Sequence, residues 1–142
     1  MKIQNKRFVY LISPTKILDN TFFKSLEIVF KSKKVSFFQL RLKNEKLSKK
    51  ILISKKIIKI CRKYGVKFLV NDDPILALKV NADGCHLGQK DMRIKSARKL
   101  LKNKIIGITC HNSLRLAKLA IKDKADYIAL GAFNYTKTKK VR

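Results

Sequence analysis

Short apolar runs alternate with longer, lysine-rich amphipathic runs along this chain, and that alternation limits its fold more than any other feature. The apolar runs are "FVYLIS" (8–13), "SFFQLRL" (36–42), "KFLVN" (67–71), "GCHLG" (84–88), "IIGITC" (105–110) and "DYIALGA" (126–132). Between them lie helix candidates, clearest in "LSKKILISKKIIKICRKYG", where Leu47, Ile51, Ile58 and Cys61 mark one face and Gly65 supplies a left-handed stop. Strand, helix, strand, repeated six times, predicts parallel βα units. Gly65, Gly84, Gly88 and Gly131 fall at the expected element boundaries, where tight turns are needed.

Two architectures repeat that unit. An open doubly wound sheet suits 142 residues, whereas a complete (β/α)₈ barrel usually takes about 200 residues or more. The stretch "SFFQLRLK" argues for the barrel. Gln39, Arg41 and Lys43 recur at every second position and so share one face of a strand. Helices cover both faces of a doubly wound sheet, and a cation pressed against either layer is costly. A barrel lets Phe38, Leu40 and Leu42 pack outward while the polar column points inward, toward an anion at the mouth or into an internal salt-bridge network. The expected fold is therefore α/β, the first six βα units of a TIM (β/α)₈ barrel, with residues 1–142 as a single, C-terminally incomplete barrel domain.

The formal net charge of +26 raises nucleic acid as a partner. The lysines are nevertheless scattered through every amphipathic segment, as expected for solvated helix faces. The aromatic and glycine pattern of an RNA-binding sheet, zinc-finger ligand spacing and a basic region leading into heptads are all missing. Nucleic acid is thus not the expected partner. Cys61, Cys85 and Cys110 are odd in number and form no C-x-x-C pair, which fits reduced thiols in the cytoplasm. "MKIQNKRFVYLIS" is too short in its apolar run for a signal peptide, and no uncharged stretch approaches bilayer length. A cytoplasmic protein without a membrane partner is expected.

Polar residues gather where the predicted strands end. Strand three closes in "VNDDP", so Asn71, Asp72 and Asp73 lie at its C-terminal edge and Pro74 opens the next helix. "NDDP" also reads as a simple helix N-terminus with an Asp or Asn cap. Asp91, in "HLGQKDM", has the same capping alternative. Thr109 closes strand five and Gly131 strand six. (β/α)₈ barrels build their active sites on this side. Asp72 and Asp91 are hard oxygen ligands suited to Mg²⁺, and Arg41, Lys43 and Lys139 are cations that a diphosphate would need.

"QLRLK", "NDDPILALKVNADGCHLGQKDM", "IIGITCHN" and "ADYIALGAFNYTKTKK" occur in the order and spacing of the thiamine phosphate synthase family, which this chain resembles over nearly its whole length. The family pattern is approximately Q-L-R-x-K, then N-D-x-x-x-x-A-x-x-x-x-A-D-G-x-H-x-G-Q-x-D, G-x-S and T-x-T-K. The resemblance implies a (β/α)₈ transferase that joins hydroxymethylpyrimidine diphosphate to a thiazole phosphate in thiamine biosynthesis, releasing pyrophosphate. Carried over by motif, Gln39, Arg41, Lys43 and Asn71 would bind the pyrimidine diphosphate and Lys139 its phosphate end. Asp72 and Asp91 would bind Mg²⁺, Thr109 would stand beside the pyrimidine, and Thr136 and Thr138 would contact the thiazole phosphate. Arg41, Lys43 and Lys139 would be the catalytic cations. His86, inside strand four, is read as packed rather than catalytic.

The chain departs from the pattern at Ala132 and Tyr135, where the family has proline, and at Thr109, where it has serine. The family also has two further βα units, so the sequence is expected to be part of a longer gene. Three rivals remain. A thiazole tautomerase on the same barrel would use His111 as acid and base, but would leave Asp72, Asp91 and Lys139 unexplained. A response-regulator-like domain would need acidic residues after strand one, where "SPTK" stands. A basic binding module would rest on charge alone.

Overall fold

Each of the six apolar runs forms a strand in the computed structural model, which describes residues 7–133. The order is β1 (Val9–Ile12), α1 (Thr21–Lys31), β2 (Val35–Leu40), α2 (Leu47–Tyr64), β3 (Lys67–Asn71), α3 (Pro74–Lys79), β4 (Gly84–Leu87), α4 (Ile94–Leu101), β5 (Ile105–His111), α5 (Leu114–Lys122) and β6 (Tyr127–Leu130). The strands are neighbours in sequence order, β1 to β6. The β1–β2, β4–β5 and β5–β6 ladders are parallel. A doubly wound sheet reverses its strand order at a switch point. Strict sequential order is instead that of a (β/α)₈ barrel, of which this chain carries six units.

The chain divides into two compact units, and the division falls inside β3, after Leu69. In the first, Phe38 is buried among aromatic rings from the helix side, Phe22 and Phe30, and stacks on Phe68 of β3. Phe38, Leu40 and Leu42 are buried as the period-two reading requires. The lysines of α2 lie where solvated faces put them: Lys55, Lys56, Lys59 and Lys63 are all exposed. In the second unit the helices turn small residues to the core, with Ala77, Ala97, Ala117 and Ala120 buried against Cys85, Leu87, Ile106 and Cys110 of the strands.

Helix ends follow local chemistry. Gly65 closes α2 at φ +69°, the left-handed position expected of it. Pro74 starts α3 and Ser113 caps α5 by accepting the Leu116 N–H at 3.3 Å. Arg98 of α4 ties the far ends of the strands together. Its guanidinium donates to the carbonyls of Lys102, Lys104 and Lys124 and to Asp126, whose Oδ2 also accepts the Ile106 N–H.

Two expectations need correction. The buried face of α2 is Ile53, Ile57, Ile58 and Cys61, while Leu47 is 52% exposed and Ile51 half-buried. An 18-residue helix carrying this many isoleucines offers several overlapping stripes, and packing selects the one centred on Ile57. The second strand is also shorter than expected. It ends at Leu40, so Arg41 and Lys43 belong to the connection after β2. Beyond Leu40 the Arg41 N–H donates to the Ser13 hydroxyl at 2.8 Å, a side-chain bond where the strand has ended.

Among the described residues, no helix is long and apolar enough to cross a membrane.

Candidate functional site

In the first unit, the sequence "SPT" after β1 organises the residues that follow β2. The Ser13 N–H donates to the Gln39 carbonyl at 2.9 Å, its hydroxyl accepts from the Arg41 N–H, and the Lys43 N–H donates to the Thr15 carbonyl at 3.0 Å. Gln39, 3% exposed, accepts the Tyr10 hydroxyl on its Oε1 at 3.0 Å. Arg41 and Lys43 are half-buried. The backbone of this basic segment is thus fixed at each alternate residue, although the strand itself has ended.

The second unit holds the acidic residues. Asn71 ends β3, and Asp72 follows at φ +63° with its N–H donated to the His86 carbonyl at 2.8 Å. The cap of α3 is Asp73, whose Oδ1 accepts the Leu76 N–H at 2.8 Å. Capping therefore accounts for Asp73 and not for Asp72. Asp91 does not cap α4, whose N-cap is Arg93. Its Oδ2 instead accepts the Gly88 N–H at 2.6 Å, which closes the turn after β4. Both Asp72 and Asp91 are half-buried.

His86 of β4 is packed, as expected, and it is also bonded at both ring nitrogens. It is 8% exposed, with Nδ1 2.8 Å from the Tyr127 hydroxyl and Nε2 2.8 Å from the Thr109 hydroxyl. Gln89 donates to the Thr109 carbonyl at 2.6 Å. Sequence reasoning placed Thr109 and read His86 as packed, but missed that His86 and Gln89 hold Thr109 and that Tyr127 holds His86. One signal was present, since a histidine inside an apolar strand must find partners when buried.

His111 ends β5 at φ +52°, and its buried Nδ1 finds no hydrogen-bond partner among the described residues. Burial pushes the Cys85 thiol up to about 12 and raises that of Cys110 as well. Neither is a nucleophile at neutral pH. The described residues contain no group of three or more His, Cys, Asp or Glu side chains able to hold a metal. That excludes a zinc-type cage among them, whereas Mg²⁺ needs only one or two carboxylates beside water and phosphate oxygens. Thr136, Thr138 and Lys139 lie outside the described residues.

A family model described as thiamine monophosphate synthase matches residues 9–142. The chain is 67% identical over 138 residues to the thiamine-phosphate synthase of Pelagibacter ubique, covering 97% of this chain and 67% of that protein. It is 43% identical over 109 residues to the thiamine-phosphate synthase of Bacillus mycoides, covering 75% and 49% of the two. A solved structure, the thiamine phosphate pyrophosphorylase from Pyrococcus furiosus, aligns with a TM-score of 0.79 at 31% identity, over 92% of this chain and 63% of that one. The chain therefore spans between about half and two thirds of the length of these three relatives.

Proposed function

We propose, from the premise that this chain belongs to the thiamine monophosphate synthase family, that its protein couples hydroxymethylpyrimidine diphosphate to a thiazole phosphate, forming thiamine phosphate and releasing pyrophosphate. Residues 1–142 are read as one barrel domain that further βα units complete, working in the cytoplasm on small-molecule substrates. The observation that carries this reading is the use of the "NDDP" turn: the N-cap of α3 is Asp73, and that of α4 is Arg93 and not Asp91. Two half-buried carboxylates at strand ends are thus left without a helix-capping explanation.

Asp72 and Asp91 would hold Mg²⁺ together with waters and diphosphate oxygens. When bound, the ion supplies charge neutralisation on the diphosphate. Arg41 would grip that group through forked contacts, and Lys43 and Lys139 would meet it as point charges. Gln39, Asn71 and Thr109 would orient the pyrimidine, and Thr136 and Thr138 the thiazole phosphate. Departure of the diphosphate leaves a methylene cation stabilised by the pyrimidine, which the thiazole nitrogen attacks. Such a route depends on stabilising charge and aligning two substrates, more than on proton transfer. The buried, protonated thiols are compatible with it.

The test is product formation by the full gene product. Thiamine phosphate should form from both substrates with Mg²⁺, and chelation should stop it. Asp91→Asn keeps an oxygen for the Gly88 N–H while removing the charge, so normal turnover in that variant would remove the metal assignment. A second reading, a thiazole tautomerase, is favoured by His111, whose buried Nδ1 has no hydrogen-bond partner among the described residues. Metal-independent tautomer conversion that is lost in His111→Ala would select it.

A further inference from the structure

Three strands of the second unit place His86, Gly107 and Tyr127 in one row. His86 on β4 pairs in register with Gly107 on β5, and Gly107 pairs with Tyr127 on β6. Two strand spacings separate the outer residues, about 9–10 Å at the backbone. Their rings nevertheless come to 5.6 Å and stack. The reason is the missing side chain between them. A Cβ on Gly107 would lie 1.9 Å from the Tyr127 Cζ, so only glycine leaves room for the tyrosine ring. Thr109, two residues further along β5, is on the same face as Gly107 and reaches the other nitrogen of His86.

The two bonds to His86 constrain each other. A neutral imidazole has one donor and one acceptor nitrogen, and the partner of one decides the role of the other. The Tyr127 phenol is more acidic than the Thr109 alcohol and is the stronger donor. It therefore gives its proton to Nδ1, and Nε2–H donates to the Thr109 oxygen. That hydroxyl already accepts from the ring, so its own hydrogen is directed elsewhere. Gln89 holds the same residue by its carbonyl.

We propose that His86 is a positioning residue that makes the Thr109 hydroxyl a hydrogen-bond donor to the substrate. The Thr109 hydrogen is then available to a substrate acceptor, such as an unprotonated ring nitrogen of the aminopyrimidine. The substrate half of this inference rests on the synthase reading. The donor assignment rests on the two His86 contacts together with the greater acidity of the phenol.

Nitrogen-15 NMR of the histidines tests the donor assignment without any activity. The sequence has two, His86 and His111, and a His111→Gln variant tells their signals apart. The expected spectrum shows His86 with a protonated Nε2 and an unprotonated, hydrogen-bonded Nδ1. Tyr127→Phe keeps the ring and removes the phenol, and should release that tautomer preference. A protonated Nδ1, or the averaged shifts of a free histidine, would overturn the proposal.

Kinetics of the full gene product test the substrate half. His86→Gln can still present an N–H to Thr109 and should retain more kcat/KM for the pyrimidine diphosphate than His86→Leu, by about tenfold, the scale of one neutral hydrogen bond. KM for the thiazole phosphate should not change. Equal losses in both folded variants would overturn the role of the Thr109 hydroxyl. The expected tautomer in a protein that forms no thiamine phosphate would count against the synthase reading and still support the donor assignment.

Discussion

Asp73 accepts the Leu76 N–H at 2.8 Å, so the aspartate that caps α3 is the second of the adjacent pair and not the first. The two carboxylates should therefore separate cleanly in experiment. Asp73→Ala should cost about 1 kcal/mol of stability, the usual effect of removing an N-cap. Asp72→Asn should cost less stability than Asp73→Ala, because it keeps a side-chain oxygen and leaves the α3 cap in place, and should lower turnover at least about tenfold, the scale of a disturbed metal site. The opposite pattern, with Asp72 governing stability and Asp73 governing turnover, would reverse the assignment.

Gly84 opens β4 against β5, and a Cβ there would lie 1.9 Å from the Ile105 carbonyl oxygen. Backbone cannot rotate away as a side chain can. Gly84→Ala should destabilise the protein by about 3 kcal/mol, the upper end of ordinary overpacking. Chemical denaturation reads this directly, and a change below 1 kcal/mol would mean that the two strands separate more easily than this contact implies.

Arg98 spends its guanidinium on three carbonyls and the Asp126 carboxylate. Arg98→Met keeps the aliphatic stem and should cost about 2 kcal/mol, in the range for hydrogen bonds to a charged group. Part of this should vanish in Asp126→Asn, where the ion pair is already gone. Strictly additive losses in the double variant would show that the pair does not interact.

Cys85 is held as a thiol by burial, which pushes it up to about 12. An unfolded thiol ionises near 8.5, so between about pH 8.5 and 12 the unfolded state binds fewer protons than the folded state. The contribution to stability is fully present below that window and is lost as pH rises through it. Urea midpoints from pH 8 to pH 11 should fall more steeply for the wild type than for Cys85→Ala. Parallel slopes would show that this thiol does not report folding.

Much of the fold was legible because βα alternation is a local pattern. The six apolar runs each became a strand, and Gly65, Pro74 and the alternation through Phe38, Leu40 and Leu42 behave as their chemistry dictates. Residues with several equivalent local options were harder. Either aspartate of "NDDP" satisfies the capping rule, and only the backbone turn at Asp72, with φ +63°, decides between them. Arg41 and Lys43 kept their alternation beyond the strand, because the Ser13 hydroxyl and the Thr15 carbonyl accept their N–H groups.

What the sequence by itself determined is the parallel βα order and the identity of the polar residues at the strand ends, since periodicity, turn chemistry and family motif are all encoded within a few neighbouring positions. Tertiary structure alone decided which of those residues act together in the second unit. His86 and Tyr127 are 41 positions apart in the chain, and they meet only because strand register sets Gly107 between them. Register comes from packing one buried face across several strands at once, and no local window of sequence contains that information.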